Sequence, residues 1–154
     1  MGEYPGDGLD ISKTFVEIAA RIAKEANVDV GFLLGNASNV PYESESFDFV
    51  FCRAAFKNFA QPRCALKEMY RVLKQGGKGV LIDLRKDASA EAIRHEVDRM
   101  GLNLVHRIFV RLTFRFMLLG RAYTESQFHE FVAHADFRSV EFCPDPVGLE
   151  RFEK

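Results

Sequence analysis

The chain has no apolar run near the roughly 18 residues that a helix needs to cross a bilayer, which excludes a membrane-spanning helix on its sequence. Cysteine is scarce. The three present, Cys52, Cys64 and Cys143, are odd in number and form no C-x-x-C pair, which excludes a disulfide framework or zinc site and leaves buried thiols as the expectation. No sign of charge is in excess: 21 basic residues stand against 22 acidic ones, so the composition gives no sign of a nucleic-acid partner. His95, His106, His129 and His134 never recur at i, i+4, so no metal site is expected. No Ser/His/Asp or Cys/His arrangement can be assembled from the residue order, which leaves nucleophilic catalysis without support. The start of the chain lacks the basic flank and apolar stretch of a signal peptide, so the expected compartment is the cytoplasm. Repeats, low-complexity tracts and linkers are also missing.

What is there suits one globular domain. A length of 154 residues with 47% hydrophobic residues is enough for a sizeable core. After Ser12, a good N-cap, Phe15, Ile18, Ala19, Ile22 and Ala26 recur at helical spacing until Asn27, which predicts an amphipathic helix with one buried face. "DVGFLLGNA" is a short apolar run bounded by glycines and predicts a strand buried on both faces. "SFDFVFC" (residues 46–52) predicts a further strand. Pro62 suits a first helical turn, and Ala65, Leu66, Met69, Val72 and Leu73 give that helix a stripe ended by Gly76. "KGVLIDL" (residues 78–84) is then another buried strand. Helices and strands alternate, the pattern of βαβ units around a parallel sheet.

Beyond Asp87, Ile93, Val97 and Met100 share a helical face closed by Gly101. Thr124 and Gln127 form a capping box, with Tyr123 and Phe128 placed as a hydrophobic staple and Phe128, Phe131, Val132 and Ala135 as the buried stripe. "SVEFC", the turn "PDP" and "VGLERFE" predict an antiparallel hairpin. The stretch over 103–122 alternates like a strand, yet its length and lack of turn residues favour a helix. Arg107, Arg111 and Arg115 recur there at i, i+4, i+8, either as a solvated face or as a basic lid that receives an anionic substrate or rests on a membrane surface.

The series from "GLDIS" through "GNA" and "NVPYESESFDFVFCRAAFKNFAQPRCALKEMYRVLKQGGKGVLIDL" resembles the class I S-adenosylmethionine-dependent methyltransferases, in particular the small-molecule, quinone-biosynthesis branch. The resemblance is specific over residues 8–84 and looser after them. It implies a Rossmann-like α/β fold, mostly parallel with a C-terminal antiparallel hairpin, in one domain over 1–154 with 88–122 as a helical lid or substrate insertion. It also implies S-adenosylmethionine as cofactor and a small-molecule methyl acceptor. Asp10 matches the acid that holds the ribose hydroxyls, and Ile11 the apolar residue packed on the adenine. Asn36 matches the loop residue that accepts from the adenine amino group, and Ala37 the backbone donor to the ring. Arg53 and Ala54 match the segment along the methionine portion, which brings Phe56 and Asn58 near the acceptor. No catalytic residue is assigned, and Asp83, at its strand's end, faces either the substrate or a salt bridge.

The chain departs from that family at its start. The family's first strand, glycine-rich loop and following helix have no counterpart before "GEYPGDGLDIS", so the fold is expected to be N-terminally truncated. That strand lies mid-sheet, between the strands ending at Asp10 and Cys52, and its loss exposes backbone groups on both sides. Three readings are open: a fragment or misplaced start, a short protein whose sheet is completed by a second copy or a partner strand, or a non-catalytic relative acting as an interaction or regulatory module.

Overall fold

The structure is a computed structural model that describes residues 6–87, 89–101, 103–113, 120–143 and 149–154. Strand β1 (Gly6–Asp10) ends where Asp10 Oδ1 accepts from the Ser12 N–H at 2.7 Å. Ser12 Oγ accepts in turn from the Phe15 N–H, capping helix α1 (Lys13–Glu25). Asn27, at φ 53°, supplies the left-handed residue that ends the helix. β2 (Val30–Leu34) then pairs in parallel with β1, from Gly6 opposite Val30 to Asp10 opposite Leu34.

The remaining elements form a second unit. β3 (Phe47–Arg53) leads through a single 3-10 turn (Phe56–Asn58) and helix α2 (Pro62–Val72) to β4 (Leu73–Ile82), which runs parallel to β3. Helices α3 (Ala90–Arg99), α4 (Leu104–Thr113) and α5 (Glu125–Val132) follow, then β5 (Ser139–Cys143) and β6 (Leu149–Glu153). β6 is antiparallel to both β4 and β5, giving the order β3-β4-β6-β5. The α/β alternation, the C-terminal hairpin, the capping box at Thr124 and the helix over 104–113 are as the sequence predicts. Residues 114–119 and the "PDP" turn lie outside the described residues, as do the side chains of Ile93, Arg111 and Cys143.

β1 and β2 form a sheet of their own, separate from the sheet β3-β4-β6-β5. Burial follows that break. The core is Phe56, Leu66, Met69, Leu73, Leu81, Phe128, Val132 and Ala135, gathered by α2, β4 and α5. Among the described residues before Phe56 none is buried. The expected buried face of α1 is therefore open, with Phe15 62% and Ile22 54% exposed, and β2 is not buried on both faces, with Leu34 56% exposed. A two-stranded ribbon with one helix offers no layer against which those faces could close.

Two further expectations change. Helix α2 ends at Val72, and Gly76 does not stop it; Gly76 and Gly77 lie inside β4, where the register slips from Phe47–Leu73 to Phe49–Lys78. Gly76 takes φ 74°, and a Cβ on Gly77 would meet the Lys74 carbonyl oxygen at 2.8 Å, so this is a glycine bulge. Lys154 clasps it, accepting from the Gly76 N–H and donating to the Gly77 carbonyl, each at 3.2 Å. Cys64 is exposed on α2, because the helix turns its apolar stripe of Ala65, Leu66, Met69 and Val72 to the core and leaves Cys64 on the opposite side.

The loop joining β2 to β3 is fixed by α2. Arg71 donates to both carboxylate oxygens of Glu68 at 2.8 Å, to the Tyr42 carbonyl at 2.8 Å and to the Val40 carbonyl at 3.0 Å. Glu68 completes the clasp by accepting from the Val40 N–H at 2.8 Å.

Two outcomes follow. Arg71→Met is expected to lower unfolding free energy by about 2–3 kcal/mol at neutral pH, since hydrogen bonds from a charged group are lost and Glu68 is left half-buried. The Arg71 hydrogen bonds hold the Glu68 carboxyl below its ordinary value of 4.5. The ionic part of that stability is present above the ordinary value and is lost as pH falls through the lowered folded one, so the gap between the urea midpoints of variant and parent should narrow as pH falls below 4.5, leaving the share due to the Val40 and Tyr42 carbonyls. Gly77→Ala is expected to cost about 1–3 kcal/mol because backbone, and not a movable side chain, stands in the way. An unchanged urea midpoint would contradict the bulge assignment.

Candidate functional site

Ligands in open α/β sheets gather at the carboxyl ends of the parallel strands. Four such ends are present here. β1 delivers Asp10 and Ile11, both exposed. β2 delivers Gly35, Asn36 and Ala37, and the Gly35 N–H donates to the Asp10 carbonyl at 2.9 Å, which ties these two strand ends together. One Asp10 carboxylate oxygen is engaged by Ser12; among the described residues the other takes no hydrogen bond. Asn36 Oδ1 accepts from the Ser38 N–H at 2.9 Å, so the loop holds its own turn and part of the amide's acceptor capacity is used locally.

β3 delivers Arg53, exposed at the strand's last residue, and Ala54 follows at φ 56°. A left-handed conformation costs a non-glycine residue of order 1 kcal/mol, so something else must hold Ala54 there. Its N–H donates to the Ile82 carbonyl at 2.7 Å, and its carbonyl accepts from Lys57 Nζ at 2.6 Å. β4 delivers the anchor of this turn. Asp83 is 8% exposed and forms an ion pair with the equally buried Lys57, Nζ to Oδ1 at 2.9 Å. It also accepts from the Lys57 N–H at 2.8 Å and the Leu84 N–H at 2.7 Å. Of the two roles open to Asp83, the salt bridge is therefore present. It lines a shallow pocket as well, with Lys57, Arg85, Tyr123, Glu125 and Phe128.

Phe56 stands at the junction of pocket and core. Its ring meets Phe59, Tyr123 and Phe128 edge-on at centroid distances of 5.5, 5.8 and 5.4 Å. Tyr123 and Phe128 thus both pack on Phe56. Asn58 is exposed on the 3-10 turn. The Cys52 thiol is pushed up to about 11 by burial, reinforced by the Asp83 carboxylate, so it stays protonated and inert as a nucleophile at neutral pH.

The structure brings Asp10, Ile11, Asn36 and Ala37 to one pair of joined strand ends, and Arg53 to another with Asp83. Sequence reading missed Lys57. Its signal was a single cation inside "AAFKNFA", directly after a strand and surrounded by apolar residues, where a charge needs a buried partner.

Parallel strand pairs joined by helices, with an acid at the end of β1 and a polar loop after β2, form a Rossmann-like α/β arrangement. Residues 6–81, just under half of the chain, match the methyltransferase domain family. The Bacillus subtilis protein YcgJ, named an uncharacterized methyltransferase, is 42% identical over 77 residues, covering 49% of this chain and 30% of its own length. The demethylmenaquinone methyltransferase of Lactococcus lactis is 43% identical over 77 residues, 49% of this chain and 31% of that protein. The match thus spans under a third of the curated relatives' length. Among solved structures, YcgJ superimposes with a TM-score of 0.62 at 26% identity, over 88% of this chain and 53% of YcgJ. A SAM-dependent methyltransferase from Aquifex aeolicus superimposes with a TM-score of 0.69 at 16% identity, over 96% of this chain and 66% of that one, which establishes the Rossmann-like methyltransferase fold.

A double-mutant cycle tests the anchor of the Arg53–Asn58 turn. Asp83→Leu alone leaves a buried ammonium without its carboxylate and should cost about 3–5 kcal/mol, whereas Asp83→Leu combined with Lys57→Met should recover most of that loss. Equal losses in the single and double variants, read from urea unfolding, would show that the pair does not hold the turn.

Proposed function

We propose that this chain forms the central part of an S-adenosylmethionine-dependent methyltransferase with a small-molecule acceptor. The observation that carries the reading is the joined ends of β1 and β2, where Asp10 keeps one carboxylate oxygen without a hydrogen bond beside the Asn36 loop. One carboxylate can accept from both hydroxyls of a ribose, so the residues present fit that part of the cofactor. Ile11, 74% exposed, offers an apolar surface for the adenine. Asn36 and Ala37 supply polar contacts to the base, and Arg53 lies toward the methionine portion. The cofactor's sulfonium supplies a methyl group that is already reactive toward a nucleophilic atom of the acceptor. The protein's own task is then to align donor and acceptor and to exclude water, which agrees with a site that holds no nucleophile–base pair. The family-level likeness to a demethylmenaquinone methyltransferase supports a small, cyclic acceptor, and residues 88–122 would form the lid over it.

A second reading rests on the separation of the β1–β2 pair from the other sheet, whose edge strand β3 carries Phe49 and Phe51, 55% and 53% exposed. It is a non-catalytic methyltransferase-like module whose sheet a second copy or a partner strand completes.

Calorimetric titration with S-adenosylhomocysteine separates them. The methyltransferase reading expects binding by this chain or by a version extended upstream, with Asp10→Ala weakening it about tenfold or more and Lys24→Ala leaving it unchanged. Binding that ignores Asp10→Ala, or no binding by either version, would overturn it in favour of the module.

A further inference from the structure

The shallow pocket between the carboxyl end of β4 and the start of α5 adjoins the Arg53 strand end, since Arg53 pairs with Ile82 and Asp83 is the next residue. Its walls are apolar at Phe56, Leu81, Leu84 and Phe128. Its charged side chains balance: Lys57 is paired with Asp83 at 2.9 Å, and Arg85 with Glu125 at 2.7 Å. Thr124 Oγ1 is taken up by the capping box, where it accepts from the Gln127 N–H at 3.2 Å. One polar side chain of the lining remains. Among the described residues the Tyr123 hydroxyl takes no hydrogen bond, and it is not closed off from solvent.

Tyr123 is nonetheless firmly held. Its ring meets Phe131 edge-on at a centroid distance of 4.9 Å, in addition to Phe56. Its backbone is clipped to the segment after β4 by a parallel bridge to Arg85 and by its carbonyl, which accepts from the Lys86 N–H at 3.0 Å. A tyrosine whose ring is packed and whose hydroxyl is unmet has one apolar end and one wet end. In a pocket that is otherwise apolar or internally paired, such a group is the kind that fixes a ligand's orientation.

The pairing also selects the ligand's charge. An ionic ligand would have to take a partner from one of the two ion pairs or enter without one, and a charge shut away unpaired is costly. A neutral molecule disturbs neither pair. The walls suit an apolar body, and a phenolic hydroxyl can donate to or accept from an oxygen on it.

We propose that this pocket receives the oxygen-bearing edge of a neutral, mostly apolar molecule, and that Tyr123 selects that molecule through a hydrogen bond of its hydroxyl. Its role as the methyl acceptor rests on the methyltransferase reading.

Equilibrium dialysis of the full chain against three naphthalene probes tests it. 1-Naphthol is neutral and carries the oxygen, naphthalene lacks it, and 1-naphthoate is an anion at neutral pH. The parent should bind 1-naphthol about fivefold tighter than naphthalene, the worth of one hydrogen bond, and 1-naphthoate more weakly than 1-naphthol. Tyr123→Phe keeps the ring; with an unchanged urea midpoint, it should lower 1-naphthol binding to the naphthalene level and leave naphthalene binding as it was. Tyr70→Phe, outside the pocket lining, should change neither. Equal binding of 1-naphthol and naphthalene by the parent, a preference that survives Tyr123→Phe, or 1-naphthoate bound as tightly as 1-naphthol would each overturn the assignment. Titration with S-adenosylhomocysteine separates this from the methyltransferase reading, because Tyr123→Phe should leave that binding unchanged. A chain that prefers 1-naphthol through Tyr123 but binds no S-adenosylhomocysteine, even when extended upstream, would uphold the pocket and overturn the methyltransferase reading alone.

Discussion

One guanidinium on the last turn of α2 holds four oxygens: two from Glu68, and the carbonyls of Val40 and Tyr42. In an unbroken parallel sheet the backbone ladder would carry the geometry from strand to strand. Here no ladder joins the β1-β2 sheet to the sheet that begins with β3, so side chains must do it. The Arg71–Glu68 pair, with the Val40 N–H returned to Glu68 and Ser38 Oγ donating to the Gln61 carbonyl at 3.2 Å, fixes the only covalent connection between the two sheets. Planar, bidentate geometry suits arginine to this task where lysine would give one point of contact.

The same break divides stability. The second unit closes over Phe56, Leu66, Leu73 and Leu81, all at or below 1% exposure, whereas α1 turns its apolar residues to solvent. Proteins open first where few apolar contacts are buried. The β1–α1–β2 unit therefore has the lower opening free energy, and it is the unit that carries Asp10, Asn36 and Ala37. The strand ends that carry Asp10, Asn36 and Ala37 thus rest on the weaker scaffold and the Lys57–Asp83 pair on the stronger one.

Much of this was legible because it is local. Ser12 caps α1, Asn27 ends it, and Thr124 with Gln127 forms a capping box, each decided within three or four residues. The hairpin was legible, but the place of β6 between β4 and β5 was not, since that pairing leaves no periodic trace. Burial was not legible. Phe15, Ile18 and Ile22 carry the spacing of a core face, but spacing states only that a helix has an apolar side, and it is silent on whether anything lies against it. The glycine pair failed for a related reason: "VLKQGG" reads as a helix stop, while the clash that makes Gly77 necessary involves the Lys74 carbonyl and the Asp48 carbonyl of another strand, at 2.8 and 3.2 Å. Lys57 and Arg71 were hidden likewise, their partners standing 26 and up to 31 residues away.

The turn after β3 joins these strands of argument. Ala54 sits in a left-handed conformation that alanine disfavours, and its cost is offset by three groups that converge on it: the Ile82 carbonyl, the Lys57 ammonium and, through that ammonium, Asp83. Strain kept in place by a buried ion pair makes a loop rigid before any ligand arrives. A transfer reaction whose donor group is already reactive gains from the protein mainly through alignment, which a preset turn supplies and a mobile one does not. Arg53 stands directly before that turn, so its backbone position is set by β4 and Asp83, on the well-packed side of the molecule. Asp10 is set by β2 and by the Arg71 clasp on the other side. The two ends of a cofactor lying across them would be held by elements that share no backbone ladder, and binding would then join the sheets where the backbone does not.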